Sequence, residues 1–453
     1  MKNVLQSCLT GLLLLSACGG SPATKPNVLF IVTDTLRVDR LGCYGSEAGL
    51  TPYLDQLAAQ GLCFTDASSH APWTLPSIAS MLTSLHPAEH GAGGSLGGFK
   101  MLDPDVITLP AVFRRRGWRT HAIANVAFLS GSFGVTRDFE STDLVAPTSN
   151  LEMRTAATTT QAALDWLDQR GQRPFFLFVH YFDPHAVYAP PSPFRKRFAP
   201  GEEDSFVFGT RKQMMDLRAG RLNVPASVIR RAERLYDGEV AYMDAQIGRL
   251  LDGLAARGLE ENTVVLMTPD HGDEFLDHGG YEHGHTLYRE LIHVPLILRY
   301  PGHVKPGVCA AIVAHVDLAP TLCELADIAP PEQFLGRSLL ASAAEASQAD
   351  PRSTPRCILA HGNMWGEPLT SWRQGDFQLI VGAGGRVELY DLGSDPLQRR
   401  DLAQEMPSKV IELRQGLERV QVALDALHRG QTLDLAPEEL ESLKEFGYVG
   451  GEQ

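Results

Sequence analysis

No C-x-x-C pair occurs anywhere in the 453 residues, and there are only seven cysteines. A cysteine-ligated zinc and a thioredoxin-type site are therefore excluded. Beyond the first residues there is no apolar run long enough to cross a bilayer, so no transmembrane bundle is expected. Internal repeats and low-complexity tracts are also missing. Positive charge is in deficit: the formal net charge is -14, spread along the chain, which argues against a nucleic-acid partner. The basic run "RRR" at 114 to 116 reads as a solvated helix end.

What is present suits one large globular domain with a smaller one beside it. At 44% hydrophobic and 21% charged, a chain of this length builds a core without disulfides. Its first residues, "MKNVLQSCLTGLLLLSACGG", have a basic end, a short apolar run and small residues before Cys18, the form of an export signal. "LLSAC" resembles a bacterial lipobox. That resemblance implies a signal over 1–18, a lipidated Cys18 and a tether over 19–26; a plain cleaved signal is the alternative. The expected location is the outer membrane, held by the lipid alone, or the periplasm. Cys43, Cys63, Cys309, Cys323 and Cys357 would then lie in an oxidising compartment, where a Cys43–Cys63 bridge is open to them.

Apolar, β-rich runs at 28–32, 175–181, 263–267 and 294–300 alternate with helical patterns at 51–61, 76–85, 153–170 and 226–257. Strands buried on both faces between helices predict an α/β fold over 27–350. Short strands at "CILA", "FQLIV" and "RVELY", then a helix at 408–428, predict a C-terminal subdomain over 351–453. The loop from 186 to 224 is a candidate lid or plain surface.

Chemistry collects after the strands. "VLFIVTD" ends in Asp34, "FFLFVHYFDPH" in Asp183 and His185, and "TVVLMTPDHGDE" in Asp270 and His271. In an open α/β sheet such ends converge on one crevice. Two carboxylates and an imidazole suit a divalent cation, with Zn or Mn favoured and Ca a poorer match. "APWTLPSIAS" then offers Thr74, which reads either as a helix N-cap or as a hydroxyl nucleophile beside a cation. Trp73 reads as core before it reads as a sugar platform.

The ordered set "PNVLFIVTDTLRVDRLGCYG", "TPYLDQLAAQGLCFTDASSHAPWTLPSIASMLTSLHPAEHG", "FFLFVHYFDPHAVYAPP", "TPDHGDEFLDHGGYEHGHTLYRELIHVPLIL" and "ELYDLGSDPLQRRDL" is similar to the sulfatase family of the alkaline phosphatase superfamily. The likeness implies a central mixed sheet flanked by helices, a smaller C-terminal sheet and a metal-bound nucleophile. By the same likeness Asp34, Thr74, Asp270 and His271 are metal ligands and Thr74 stands at the formylglycine position. His185 contacts the ester or leaving group, and His285, with His283 a weaker candidate, lines the pocket. The departures are Thr74 for Cys or Ser, Ile78 for the usual arginine, Thr35 for a carboxylate and Gln378 for a lysine. Threonine cannot give formylglycine, because its β-carbon would oxidise to a ketone.

These residues predict a metal-dependent hydrolase of a phosphate, phosphonate or sulfate ester acting through Thr74, leaning to phosphate or phosphonate. The substrate would be a small molecule or a glycan ester. The alternatives are a true sulfate ester hydrolase without formylglycine, a phosphoethanolamine transferase-like enzyme, and a noncatalytic relative that binds an anionic glycan.

Overall fold

Three strands are buried along their whole length, as their apolar composition requires: Asn27–Thr33 (β1), Phe175–Tyr181 and Thr263–Pro269. The computed structural model describes residues 25–95, 98–145, 154–200, 213, 216–217, 221–347, 356–425, 431–432 and 435–445. The export signal with Cys18, most of the tether, the boundary at 350 and much of the loop from 186 to 224 lie outside these residues.

In chain order the strands of the main sheet are β1, Leu62–Ser68 (β2), Arg119–Ala124 (β3), Ser141–Leu144 (β4), Phe175–Tyr181 (β5), Thr263–Pro269 (β6), His293–Arg299 (β7) and Gly307–Ala314 (β8). They lie side by side as β8-β2-β7-β6-β1-β5-β3-β4. β7 is antiparallel to both neighbours, while β6, β1, β5, β3 and β4 run parallel, so the sheet is mixed. The sequence reading found four of these strands. It missed β2, β3 and β4, where polar residues such as Asp66 and His121 break the apolar run, and the edge strand β8, which is apolar but partly exposed, Val308 at 74%.

Alternation along β1 builds two cores. Val28, Phe30 and Val32 face one side, Leu29 and Ile31 the other. Helices Pro52–Gln60 (α1), Ala156–Gln169 and Ala226–Ala256 cover the second face, and Thr74–Thr83 (α2) the first. The long helix Ala226–Ala256 is called α4 and Ala156–Gln169 α3. Arg114, Arg115 and Arg116 are exposed at a helix end, as their charge requires.

A second, antiparallel sheet of four strands follows: Cys357–His361 (β9), Leu369–Gln374 (β10), Phe377–Gly382 (β11) and Val387–Asp391 (β12). Helix Pro407–Asp425 packs on it through Leu413 and Leu417, against Trp372, Leu379 and Leu389. No described helix is long and apolar enough to cross a membrane.

Candidate active site

The position of the site follows from the order of strands. β6, β1 and β5 are parallel neighbours in register, with Thr33 level with both Pro269 and Tyr181. The residues that follow therefore leave the sheet at one height. Two ladder bonds continue past the strand ends, from Asp34 N to Tyr181 O at 2.9 Å and from Asp270 N to Thr33 O at 3.1 Å. Carboxylates far apart in sequence are brought side by side by this register.

Asp34, Asp270 and His271 each offer a ligand atom within 4.8 Å of the others, and all three are buried. His271 Nε2 lies 3.7 Å from Asp34 Oδ1 and 3.4 Å from Asp270 Oδ2. His271 Nδ1 is 2.8 Å from Gly272 O, which takes the ring proton and leaves the Nε2 lone pair facing the carboxylates. Both oxygens of Asp34, Oδ2 of Asp270 and Nε2 of His271 have no hydrogen-bond partner in the protein. Burial, with the nearby charges of Asp270 and Asp273, holds the Asp34 carboxyl well above the usual range; burial raises Asp270 as well. Orphaned buried acceptors crowded round one point fit a divalent cation, and the mixed oxygen and nitrogen donors fit Zn²⁺ or Mn²⁺ better than Ca²⁺. Among the described residues this is the one three-ligand group.

Thr74 is the first residue of α2 and is 1% exposed. The N-cap position belongs to Trp73, whose side chain makes no capping bond, so the capping reading of Thr74 is corrected. Its side chain instead hydrogen-bonds to the carboxylate of Asp270 and lowers that group's pKa against the effect of burial. Ser77, one turn on, donates to the backbone oxygen of Asp270 at 2.6 Å. Ile78 is fully buried in the core, and Gln378 donates to Leu287 O and Ser371 Oγ. Trp73 is core, packed on Phe99 and Phe128, with its indole nitrogen 2.6 Å from Gly362 O.

The histidines form a wall. His283 packs against His271 with ring centroids 4.5 Å apart and against His185 at 4.9 Å, and its Nδ1 is 3.0 Å from Asp273 Oδ1. The weaker sequence candidate thus sits between the other two. His185 is buried, with Nδ1 2.5 Å from Ala186 O. His285 is held apart from them, Nε2 2.9 Å from Glu274 Oε2 and its ring stacked on Trp365 at 4.5 Å. A Cβ at Gly280 would lie 2.2 Å from His285 Nε2, so only glycine leaves room for this contact. Asp183 does not reach the group: it is hydrogen-bonded to Glu239 on α4.

The sequence reading missed His180, Asp273 and the structural importance of Glu274. His180 Nε2 is 3.5 Å from Asp34 Oδ2, both ring nitrogens lack a partner, and burial pushes the imidazole down to about 3, so it stays neutral. Burial raises Asp273 to about 7 against the Tyr188 hydroxyl, which donates to it at 2.5 Å. Glu274 takes His278 N and Gly280 N as well as His285, so Glu274→Gln is not the mild change its place outside the ligand set suggests.

Residues 26–328 match the family model described as Sulfatase, and 277–423 match that of N-sulphoglucosamine sulphohydrolase, C-terminal. The chain is 26% identical over 432 residues to the uncharacterized sulfatase YidJ of Escherichia coli (strain K12), covering 84% of each. Its fold superposes with a TM-score of 0.72 and 21% identity on a protein solved with its substrate D-glucosamine-2-N,6-O-disulfate, over 89% of this chain and 99% of that one. A phosphonate monoester hydrolase of Agrobacterium radiobacter gives a TM-score of 0.69 at 20% identity, over 91% and 99%. The family model covers well over half of the sequence, and the α/β architecture with its small C-terminal sheet agrees with it: the chain belongs to the sulfatase family.

Proposed function

We propose that the protein hydrolyses a phosphate or phosphonate ester, with Thr74 as its nucleophile. An ester hydrolase is what its family leads one to expect, and the neighbours that hydrolyse phosphonate monoesters share the fold. The observation that carries the choice is Thr74 itself, a buried hydroxyl against Asp270 that no oxidation turns into formylglycine. The core position of Ile78 supports it too, since no guanidinium is there to orient a sulfate.

Asp34, Asp270, His271 and Thr74 are the residues that would hold the cation. When bound, it supplies Lewis-acid activation of the hydroxyl and balances the buried carboxylates. The chain does the rest. The start of α2 directs positive backbone dipoles at the anion being attacked. Thr74 Oγ, its proton passing by way of Asp270, attacks phosphorus in line, forming a threonine ester as the bond to the leaving oxygen breaks. His185 protonates that oxygen, His285 forms the opposite wall, and water then cleaves the threonine ester. His180 packs beside Asp34, its Nε2 3.5 Å from Oδ2, and confines that carboxylate by contact. The N-terminal sequence supports export and a lipid anchor at Cys18.

A sulfate ester is the second reading, favoured by the family and by the disulfated glucosamine of the structural neighbour. One experiment addresses both. Purified wild type and Thr74→Ala, each loaded with metal, are assayed on matched aryl phosphate, phosphonate and sulfate esters. Thr74→Ala should fold and keep its metal yet lose about three orders of magnitude in rate, on the order of 4 kcal/mol. Thr74→Ser should keep part of it. Near-normal turnover by a folded Ala variant would end the nucleophile assignment; a clear preference for the sulfate would select the second reading.

A further inference from the structure

The loop that follows Asp34 returns to the sheet at a single point. Tyr44 OH donates to Phe64 O at 2.7 Å and accepts from Leu296 N at 2.7 Å, plugging into the gap between β2 and β7. Cys43 N donates to Asp55 Oδ1 at 2.7 Å, and Gly42 N to Thr51 Oγ1 at 3.1 Å, so the backbone on either side of the Cys43 side chain is fixed. Residues 43 and 44 thus lie alongside residues 63 and 64. Cys63, 2% exposed on β2, and half-buried Cys43 pack into the same apolar cluster. Both are thiols in this structure, and they hydrogen-bond to each other.

We propose that Cys43 and Cys63 form a disulfide that fastens the Asp34 loop to β2. Hydrogen-bonded sulfurs need only side-chain rotation to reach bonding distance, about 2.05 Å, when the backbone already holds them face to face. A metal site is the other use for two adjacent thiols, but no third ligand completes one among the described residues. The hydrogen bond from Cys43 draws the Cys63 thiol down to about 7 and pushes the Cys43 thiol up, so near neutral pH the inner sulfur has thiolate character.

The oxidant is an external disulfide, either glutathione disulfide or the active-site disulfide of a thiol oxidase. Half-exposed Cys43, its proton passing to the hydrogen-bonded Cys63 thiolate, attacks one of its sulfurs and forms a mixed disulfide; the first thiolate expelled takes that proton and leaves Cys63 ionised again. Cys63 then attacks Cys43 Sγ and expels the second. Two protein thiols are oxidised by two electrons, the external disulfide is reduced to two thiols, and the two thiol protons leave with them.

The test uses the full chain, equilibrated with glutathione disulfide, quenched with N-ethylmaleimide under denaturing conditions, and cleaved after Glu47 to separate the two cysteines. Mass spectrometry should find the 43 and 63 peptides linked and free of maleimide. Cys63→Ser should instead retain glutathione on Cys43. Reduction should lower the thermal midpoint of the wild type by several degrees and leave that of Cys43→Ser unchanged, with the metal content of all forms equal. Maleimide on both cysteines of the oxidised wild type, or glutathione persisting on Cys43 with Cys63 intact, would overturn the proposal.

Discussion

Asp34 is fully buried, neither of its oxygens finds a donor, and Asp270 and Asp273 stand close by. A carboxylate so placed keeps its charge only against a cation; otherwise it takes a proton. The same argument separates ligands from neighbours. Asp270→Asn and His271→Ala should each lose bound metal together with turnover, by elemental analysis and rate on the same sample. His180→Ala, which removes the ring packed 3.5 Å from Asp34, should retain the site but bind metal about 10- to 100-fold more weakly. Full occupancy in both ligand variants would mean that the cation sits elsewhere.

The turn after β1 depends on α4. Thr35 has φ 52, a left-handed conformation that a β-branched residue adopts only under constraint. The constraint is Tyr236, whose hydroxyl donates to Thr35 O at 2.8 Å and accepts from Arg37 N at 2.9 Å. Tyr236→Phe leaves both backbone groups unpaired in the interior, so it should cost about 1–3 kcal/mol in chemical denaturation. It should also lower metal affinity by displacing Asp34; unchanged affinity would show that the turn holds its shape alone. Such couplings mark the limit of what the sequence discloses. Asp34, Asp270 and His271 were legible because each follows a continuous apolar strand, and parallel neighbours must deliver their ends to one edge. His180 was not, since inside "FFLFVHY" an imidazole looks like one more buried residue. Nor was Tyr236, which carries no chemical signature on a long amphipathic helix and acts through backbone groups two hundred residues away in sequence. β2 stayed hidden for a related reason: Asp66 and its partner Arg373 meet only when the two sheets pack, and an acid mid-strand argues against a strand until its arginine is known.

At the scale of the molecule, one shared proton should contribute to the response to pH beside other buried carboxyls such as Asp244, which burial also holds up at about 7. Burial holds Asp183 up at about 6 and Glu239 well above its usual range, with the two carboxyls hydrogen-bonded. The folded pair keeps a proton that the unfolded chain has already released. Its stabilisation is therefore complete below the ordinary carboxylate range, near pH 4, and is lost as pH rises through about 6 and beyond. Urea denaturation of metal-loaded protein should show this as a decline of up to about 1.4 kcal/mol per pH unit. Glu239→Gln, which cannot ionise, should make it shallower than in the wild type; equal slopes would show that no proton is shared. The pocket, too, belongs to the whole chain. His361 N bonds to His70 O, Trp73 Nε1 to Gly362 O, and Trp365 Nε1 to His283 O, so the end of β9 and the segment after it seal the ground between α2 and the histidine wall. Synthesis runs the other way along time: Thr74 is made early, its carboxylate partner two hundred residues later, and the tryptophan that closes the wall later still. A chain that stops short of that tryptophan holds Thr74 and Asp270 without the bond from Trp365 Nε1 to His283 O, so the chamber closes only when segments far apart in sequence fold together.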